Sequence, residues 1–123
     1  MLEQLPKIVN SNGPLVNRGR FFSHNFLIGV GETDWLVEVA AGSISSIIPG
    51  PHVLKSWTFS VRATQEAWSL FWQPEPPPGY HDIFAMTKSG SAVIEGDLHP
   101  LMANLRYVKE VLEALRKLGA EAK

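Results

Sequence analysis

The chain has 123 residues, a formal net charge of −1 and no cysteine. This length suits one domain, and the near-neutral charge provides no general attraction to nucleic acid or to an anionic membrane. The lack of cysteine excludes disulfides and thiolate chemistry. No apolar run approaches the roughly 18 residues of a membrane span, and residues 1–7 lack the apolar core of a secretory signal. We therefore expect a cytoplasmic protein without a transmembrane segment.

The first half of the chain predicts a short irregular segment followed by a run of strands. Residues 1–20 are weakly patterned and rich in turn formers, so we expect an irregular N-terminal segment with at most one helical turn. Hydrophobic residues then alternate with polar ones, as in half-buried strands. The predicted strands span residues 21–30, 35–40, 43–48 and 57–63.

The next part of the chain predicts two short helices joined by a rigid loop. Thr64 is a suitable N-cap for a helix that runs to about Trp72. Residues 73–79 (QPEPPPG) predict a loop, because proline lacks the N–H that a helix or a central strand needs. Residues 80–88 predict a second short helix, and residues 90–97 predict a further strand.

The strongest helical pattern is the final one. Asp97 is a suitable N-cap, and leucines and valines recur every three or four residues from Leu98 to Leu118. Gly119 is expected to end this helix, and residues 120–123 are expected to fray. The order of elements predicts one α+β domain over residues 21–119, with a mainly antiparallel five-stranded sheet and helices packed on one face.

Residues with catalytic or metal-binding chemistry form no recognisable site in the sequence. The histidines lack metal-ligand spacing, and no G-x-S-x-G nucleophile elbow is present. Glu32, Asp34 and Glu38 alternate on the polar face of one predicted hairpin, which is typical of a solvated surface. Basic residues are scattered, which disfavours nucleic acid as a partner. We therefore expect no enzymatic activity, no metal and no cofactor.

Aromatic residues crowd into one third of the chain: Trp57, Phe59, Trp68, Phe71 and Trp72. The simplest interpretation is that these rings form the hydrophobic core. The alternative is that they line a cavity for an apolar ligand. Composition leaves both interpretations open.

One stretch resembles a known family. A strand leads into a tryptophan-containing helix (FSVRATQEAW, residues 59–68), and a short helix precedes G-x-x-x-I-x-G-D (residues 90–97) and a last apolar helix. This order resembles the sterol carrier protein 2 family over residues 57–112, and by pattern alone upstream to Phe21. The chain departs from the family in its shortened N-terminal helix and in the long proline-rich loop over residues 73–79.

The resemblance implies a non-catalytic carrier without cofactor or metal. Its sheet and helices would enclose a hydrophobic tunnel for fatty acyl lipids or sterol-like molecules. On this hypothesis inward-facing strand and helix residues line the tunnel. They are Phe26, Ile28, Trp35, Val37, Phe59, Val61, Trp68, Phe71, Trp72, Phe84, Met86, Met102 and Leu105.

A second hypothesis is an interaction or accessory subunit that supports another enzyme, with a solid core and no ligand. If nothing replaces the family's long first helix, part of the apolar sheet face is left uncovered, and such a patch usually finds a partner. A homodimer is the simplest way to cover it.

Overall fold

The computed structural model describes residues 2–52 and 55–117. A 3₁₀ helix over Leu2–Gln4 begins the fold. The α-helices are α1 (Leu5–Asn10), α2 (Gly13–Arg18), α3 (Gln65–Phe71), α4 (Ile83–Lys88), α5 (His99–Ala103) and α6 (Leu105–Glu113). The strands are β1 (Asn25–Val30), β2 (Thr33–Ala40), β3 (Ser43–Pro49), β4 (Phe59–Ala63) and β5 (Ala92–Gly96). The predicted stop at Gly119 and the frayed tail over residues 120–123 lie outside the described residues.

The five strands form one sheet in the order β3-β2-β1-β4-β5. This confirms the α+β class and the number of strands. The sheet is mixed, however, because β1 and β4 pair in parallel, with Phe26 opposite Phe59. The other three pairs are antiparallel. The parallel pair arises because the chain leaves β3 and crosses to the far side of β1 before it begins β4.

The core lies between one face of the sheet and the helices. The strand residues on this face are fully buried, namely Phe26, Ile28, Val37, Phe59 and Val61. Every α-helix adds buried side chains to the same cluster, among them Leu5, Leu15, Trp68, Met86, Leu101 and Val108. The prediction of helices packed on one face is therefore confirmed.

The N-terminal segment is helical, so the prediction of an irregular segment over residues 1–20 was wrong. Pro6 and Pro14 lie in the first turns of α1 and α2, where backbone N–H groups need no intrahelical partner. The side chain of Asn12 caps α2 by accepting the N–H of Leu15 at 3.3 Å. Pro6, Asn12 and Pro14 are residue types typical of turns, but here they begin helices. Because α1 contacts β3, it covers part of the sheet that the second hypothesis would leave bare if nothing replaced the family's first helix.

The final helix is broken where a continuous one was predicted. Asn104 (φ −125°, ψ 34°) separates α5 from α6, and its side-chain Nδ2 donates to the Pro100 carbonyl at 3.0 Å. The apolar spacing continues across the break, so hydrophobic periodicity gave no sign of it. Asp97 still accepts the N–H of His99 at 3.1 Å, although the helix begins one residue later than predicted.

Four other elements begin later than predicted. The strand expected from residue 90 begins at Ala92. The strand expected from Phe21 begins at Asn25, because the N–H of Phe22 instead donates to Gly19 in the preceding turn. The strand expected from residue 57 begins at Phe59. The helix expected from residue 80 begins at Ile83, where Asp82 caps it by accepting the N–H of Phe84 at 2.6 Å.

Candidate functional site

Most of the predicted tunnel residues lie in a closely packed core. Eight of the thirteen are fully buried: Phe26, Ile28, Val37, Phe59, Val61, Trp68, Phe71 and Met86. The rings of Phe26 and Phe59 stack with centroids 5.1 Å apart. Trp68 meets Phe71 edge-on at 5.3 Å. That these residues line a tunnel stays a prediction.

Of the other five predicted residues, Trp72 is buried and the rest lie nearer the surface, in different places. Trp35 and Trp72 line one groove, and Phe84 and Met102 line another. Leu105, the first residue of α6, is half-buried against the core. The structure therefore divides the predicted site between a core and two surface grooves.

The first groove, which we call the tryptophan groove, has a volume of about 310 Å³. It lies where the ends of β1 and β2 meet α3. Two indole rings and three neutral polar side chains contribute to its wall. Its lining residues are Leu2, Val30, Thr33, Trp35, Gln65, Ser69 and Trp72.

The second groove, which we call the β5 groove, has a volume of about 360 Å³. It lies between α4, β5 and α5, and all its lining side chains except Thr87 are apolar. Those residues are Phe84, Thr87, Ala92, Val93, Ile94, Leu98, Leu101 and Met102. Buried Ala92 and Leu101 connect this surface to the core.

The β5 groove follows the open edge of the sheet. Consecutive strand residues point to opposite faces, so a depression that touches Ala92, Val93 and Ile94 runs along the edge of the strand. Among the strands of the described residues, β5 has a neighbour on one side only. Val93, Leu98 and Met102 expose 53%, 39% and 55% of their surface, which is a high exposure for apolar side chains lying side by side.

The opposite edge of the sheet is protected. The side chain of Asn10 accepts the N–H of Ile44 and donates to the carbonyl of Ile44, both at 2.8 Å. This amide mimics a neighbouring strand on β3 and satisfies two backbone groups that an edge strand would otherwise leave unpaired. The two edges therefore differ, and the open one carries the apolar groove.

The groups with shifted pKa values lie outside both grooves. Burial alone would raise the pKa of Asp82, but the Lys109 ammonium at 2.6 Å and the N–H of Phe84 outweigh it and hold the pKa below its usual value. Burial raises the pKa of Tyr107 to about 12. Burial also raises the pKa of Glu113, against the opposing effect of Arg116. Among the described residues, no group of three or more histidines and carboxylates is arranged to hold a metal ion.

Sequence reasoning missed much of each groove's lining. Leu98 and Leu101 belong to the apolar stripe of the last predicted helix and were assigned to the core, yet they line the β5 groove. Val93 was seen only as a strand residue, and its exposure depends on β5 lying at an edge. Thr33, Gln65 and Ser69 are polar residues of a turn and a helix, and nothing in their spacing indicates a shared groove.

No protein-family model matches the chain, and no curated protein matches it. Solved structures do match. The crystal structure of sterol carrier protein 2 superimposes with a TM-score of 0.72 at 10% sequence identity, covering 92% of this chain and 91% of that chain. The chain has the fold of sterol carrier protein 2. The predicted resemblance is thus confirmed in three dimensions.

Two further structures share the sterol carrier protein 2 fold. A conserved hypothetical protein from Thermus thermophilus matches with a TM-score of 0.65 at 9% identity, covering 92% of this chain and 84% of its own. The ubiquinone synthesis protein UbiJ-SCP2 matches with a TM-score of 0.60 at 12% identity, covering 94% and 88%. At these identities the likeness is one of fold. Within residues 2–52 and 55–117, no helix is long and apolar enough to cross a bilayer.

Proposed function

We propose that this protein binds or transfers apolar molecules, of the fatty acyl or sterol-like class, without chemical change. The observation that carries the proposal is the β5 groove, an apolar depression whose lining includes the buried residues Ala92 and Leu101, in a chain with the sterol carrier protein 2 fold. Its volume of about 360 Å³ lies at the small end of the range for ligand pockets. A cytoplasmic location stays a prediction.

The lining of the groove determines what it can recognise. Thr87 supplies the only hydroxyl among its lining side chains, so there is little to fix the orientation of a ligand. Binding would depend on non-directional burial, at about 0.8 kcal/mol for each CH₂ removed from water. We therefore expect affinity to rise with acyl chain length until the groove is filled, with little dependence on the head group.

Displacement of a fluorescent polyene fatty acid by unlabelled fatty acids of increasing length tests this function. Met102→Gln should weaken binding several-fold, because it introduces a polar amide into the lining. Met102 is 55% exposed, so the fold should tolerate the change. Phe21→Gln is the matched control, since Phe21 is 81% exposed and lines neither groove. No saturable binding, or equal affinities for the two variants, would count against the proposal.

The open edge of β5 favours a second candidate function, that of an interaction subunit which pairs with its own copy. An acyl chain cannot hydrogen-bond to the backbone N–H and C=O groups along this edge, whereas a second strand can. The shared fold of a protein named for ubiquinone synthesis also supports an accessory role.

Sedimentation equilibrium with and without fatty acid distinguishes the two candidates. Self-pairing at β5 predicts a dimer that Val93→Lys converts to a monomer, because a lysine on an edge strand opposes strand pairing. Since both occupants need the same groove, saturating fatty acid should also dissociate the dimer. A strict monomer at high micromolar concentration would remove this candidate and leave lipid binding intact.

A further inference from the structure

The tryptophan groove has features of a second and different binding site. Trp35 and Trp72 contribute rings to its wall, while Thr33, Gln65 and Ser69 contribute neutral hydrogen-bonding groups. None of its lining residues is shared with the β5 groove. The two grooves therefore differ in chemistry, since one is apolar and the other combines rings with polar groups.

The rear aromatic wall of this groove is held rigidly. The indole N–H of Trp72 donates to the Leu112 carbonyl at 2.9 Å. Behind it, the ring of Trp68 stacks on that of Trp72 at a centroid distance of 5.0 Å and an angle of 16°. The indole N–H of Trp68 donates in turn to the Gly29 carbonyl at 2.7 Å. Trp72 is 7% exposed, so the part of its ring that reaches the groove is already ordered, which lowers the entropy cost of binding against it.

The polar side of the groove has hydrogen-bonding capacity to spare. The Ser69 hydroxyl donates to the Gln65 carbonyl at 2.9 Å and can still accept. Among the described residues, the hydroxyl of Thr33 and the side-chain amide of Gln65 have no hydrogen-bond partner. Both could therefore bond to a ligand. No lining residue carries a charge, so nothing in the groove would offset the desolvation of a charged ligand.

We propose that the tryptophan groove binds a neutral aromatic molecule that carries a hydroxyl group, of the phenol or naphthol class. The ligand's ring would pack against the partly buried ring of Trp35, and its hydroxyl would bond to the side chains of Thr33 and Gln65. The volume of about 310 Å³ suits one or two fused rings. This site stands apart from the proposed lipid function, because it uses other residues and other chemistry.

Three related probes test the ligand class: 2-naphthol, naphthalene and 2-naphthoate. Isothermal titration and tryptophan quenching should both show saturable binding of 2-naphthol. Naphthalene should bind roughly 2- to 10-fold more weakly, since it lacks a hydroxyl worth about 0.5–1.5 kcal/mol in a typical hydrogen bond. The charged 2-naphthoate should bind more weakly still at neutral pH. Equal binding of all three probes, or no saturable binding of 2-naphthol, would overturn the proposal.

Two substitutions locate the site. Thr33→Val keeps the shape of the side chain and removes the hydroxyl, so it should weaken 2-naphthol binding and leave naphthalene binding unchanged. Trp35→Leu should weaken both, because it removes a ring from the wall. Phe21→Gln serves as the control, and circular dichroism checks that each variant folds. If both site variants fold and bind 2-naphthol like the control, the ligand lies elsewhere and the proposal fails.

Competition separates this proposal from the lipid function. Saturating fatty acid should not displace 2-naphthol, because the two grooves share no lining residue. Displacement would show that both probes occupy one site, which contradicts a separate phenol site. Failure of 2-naphthol to bind would leave the fatty-acid titration unaffected, so each proposal can fail alone.

Discussion

The hydroxyl of Tyr107 donates a 2.7 Å hydrogen bond to the carbonyl oxygen of Gly42 and ties α6 to the turn between β2 and β3. The ring is 1% exposed and packs against Gly19, where a Cβ would lie 2.3 Å from the Tyr107 Cε1 atom. The contact fixes the last helix on the sheet from a position 65 residues away in sequence.

Tyr107→Phe should destabilise the protein by about 1–3 kcal/mol, because it leaves the Gly42 carbonyl without its buried donor. Urea unfolding at neutral pH measures the loss. Tyr80→Phe is the control, since no described residue accepts a hydrogen bond from the Tyr80 hydroxyl. Equal unfolding midpoints for the two variants would show that the hydrogen bond contributes nothing net.

The same tyrosine predicts a loss of stability in alkali. Its folded-state pKa of about 12 lies above the unfolded value of about 10, so the stabilisation is complete below the unfolded value. It is lost as the pH rises towards 12. The difference in unfolding free energy between the native protein and Tyr107→Phe should therefore narrow above pH 10. A difference that stays constant in alkali would contradict the assignment.

Asn10→Ala should expose the β3 edge, because both hydrogen bonds to the Ile44 backbone come from this side chain. We expect a destabilisation of about 1–3 kcal/mol and faster aggregation, since an unprotected edge strand is a template for pairing. Chemical unfolding and light scattering measure the two effects. Asn17→Ala, at an exposed position of α2, is the matched control. Aggregation at the control's rate would mean that Asn10 does not protect the edge.

Asp82→Asn should change the acid stability of the protein while keeping an N-cap on α4. The pKa of Asp82 is lower in the folded state than in the unfolded chain, so its contribution is present above about pH 4. That contribution is lost as the pH falls through the folded-state pKa. The native protein should be the more stable at pH 7, and the difference should vanish in strong acid. Glu75→Gln, at an exposed position on the proline loop, is the control for loss of a carboxylate. A loss of stability at pH 7 no larger than the control's would contradict this prediction.

Arg116→Lys should destabilise the C-terminal packing by about 1–3 kcal/mol, because an ammonium cannot reproduce the planar fork of a guanidinium. Arg116 Nε donates to the Phe71 carbonyl at 2.8 Å, and Nη2 donates to the His81 carbonyl at 2.9 Å. The guanidinium also lies 4.5 Å from the centre of the Phe71 ring. Arg106→Lys is the control, since Arg106 is 76% exposed and its partner among the described residues is Glu110 of the same helix. Equal effects of the two changes on thermal unfolding would contradict this prediction.

Local features of the fold could be predicted from the sequence because their causes are local. Thr64 caps α3 by accepting the N–H of Ala67, three residues ahead, and such a bond is visible as spacing. The alternation of Trp35, Val37 and Val39 likewise predicted β2. The parallel pairing of β1 with β4 was not predictable, since alternation says which residues form a strand and not which strand lies beside it.

The candidate sites were predictable only in part, for the same reason. Phe84 and Met102 were correctly placed on helices, but the groove they share exists because α4 and α5 both lie against the edge strand. Whether an apolar residue such as Val93 is covered depends on its strand's position in the sheet. The break at Asn104 leaves the hydrophobic period intact, so the sequence pattern is the same for one helix or for two.

The β1–β4 pair also bears on the order in which the chain folds. Tight turns join β1, β2 and β3, so these strands can pair with little loss of chain entropy. The pairing of β4 with β1 costs more, because the whole β2–β3 hairpin lies between them in the sequence. Contacts such as Ile28 with Val61 therefore join two halves of the chain. We expect the pairing of β1 with β4 to limit the folding rate. We expect β5 and the helices next to it to pack later, onto the sheet that β1–β4 have formed.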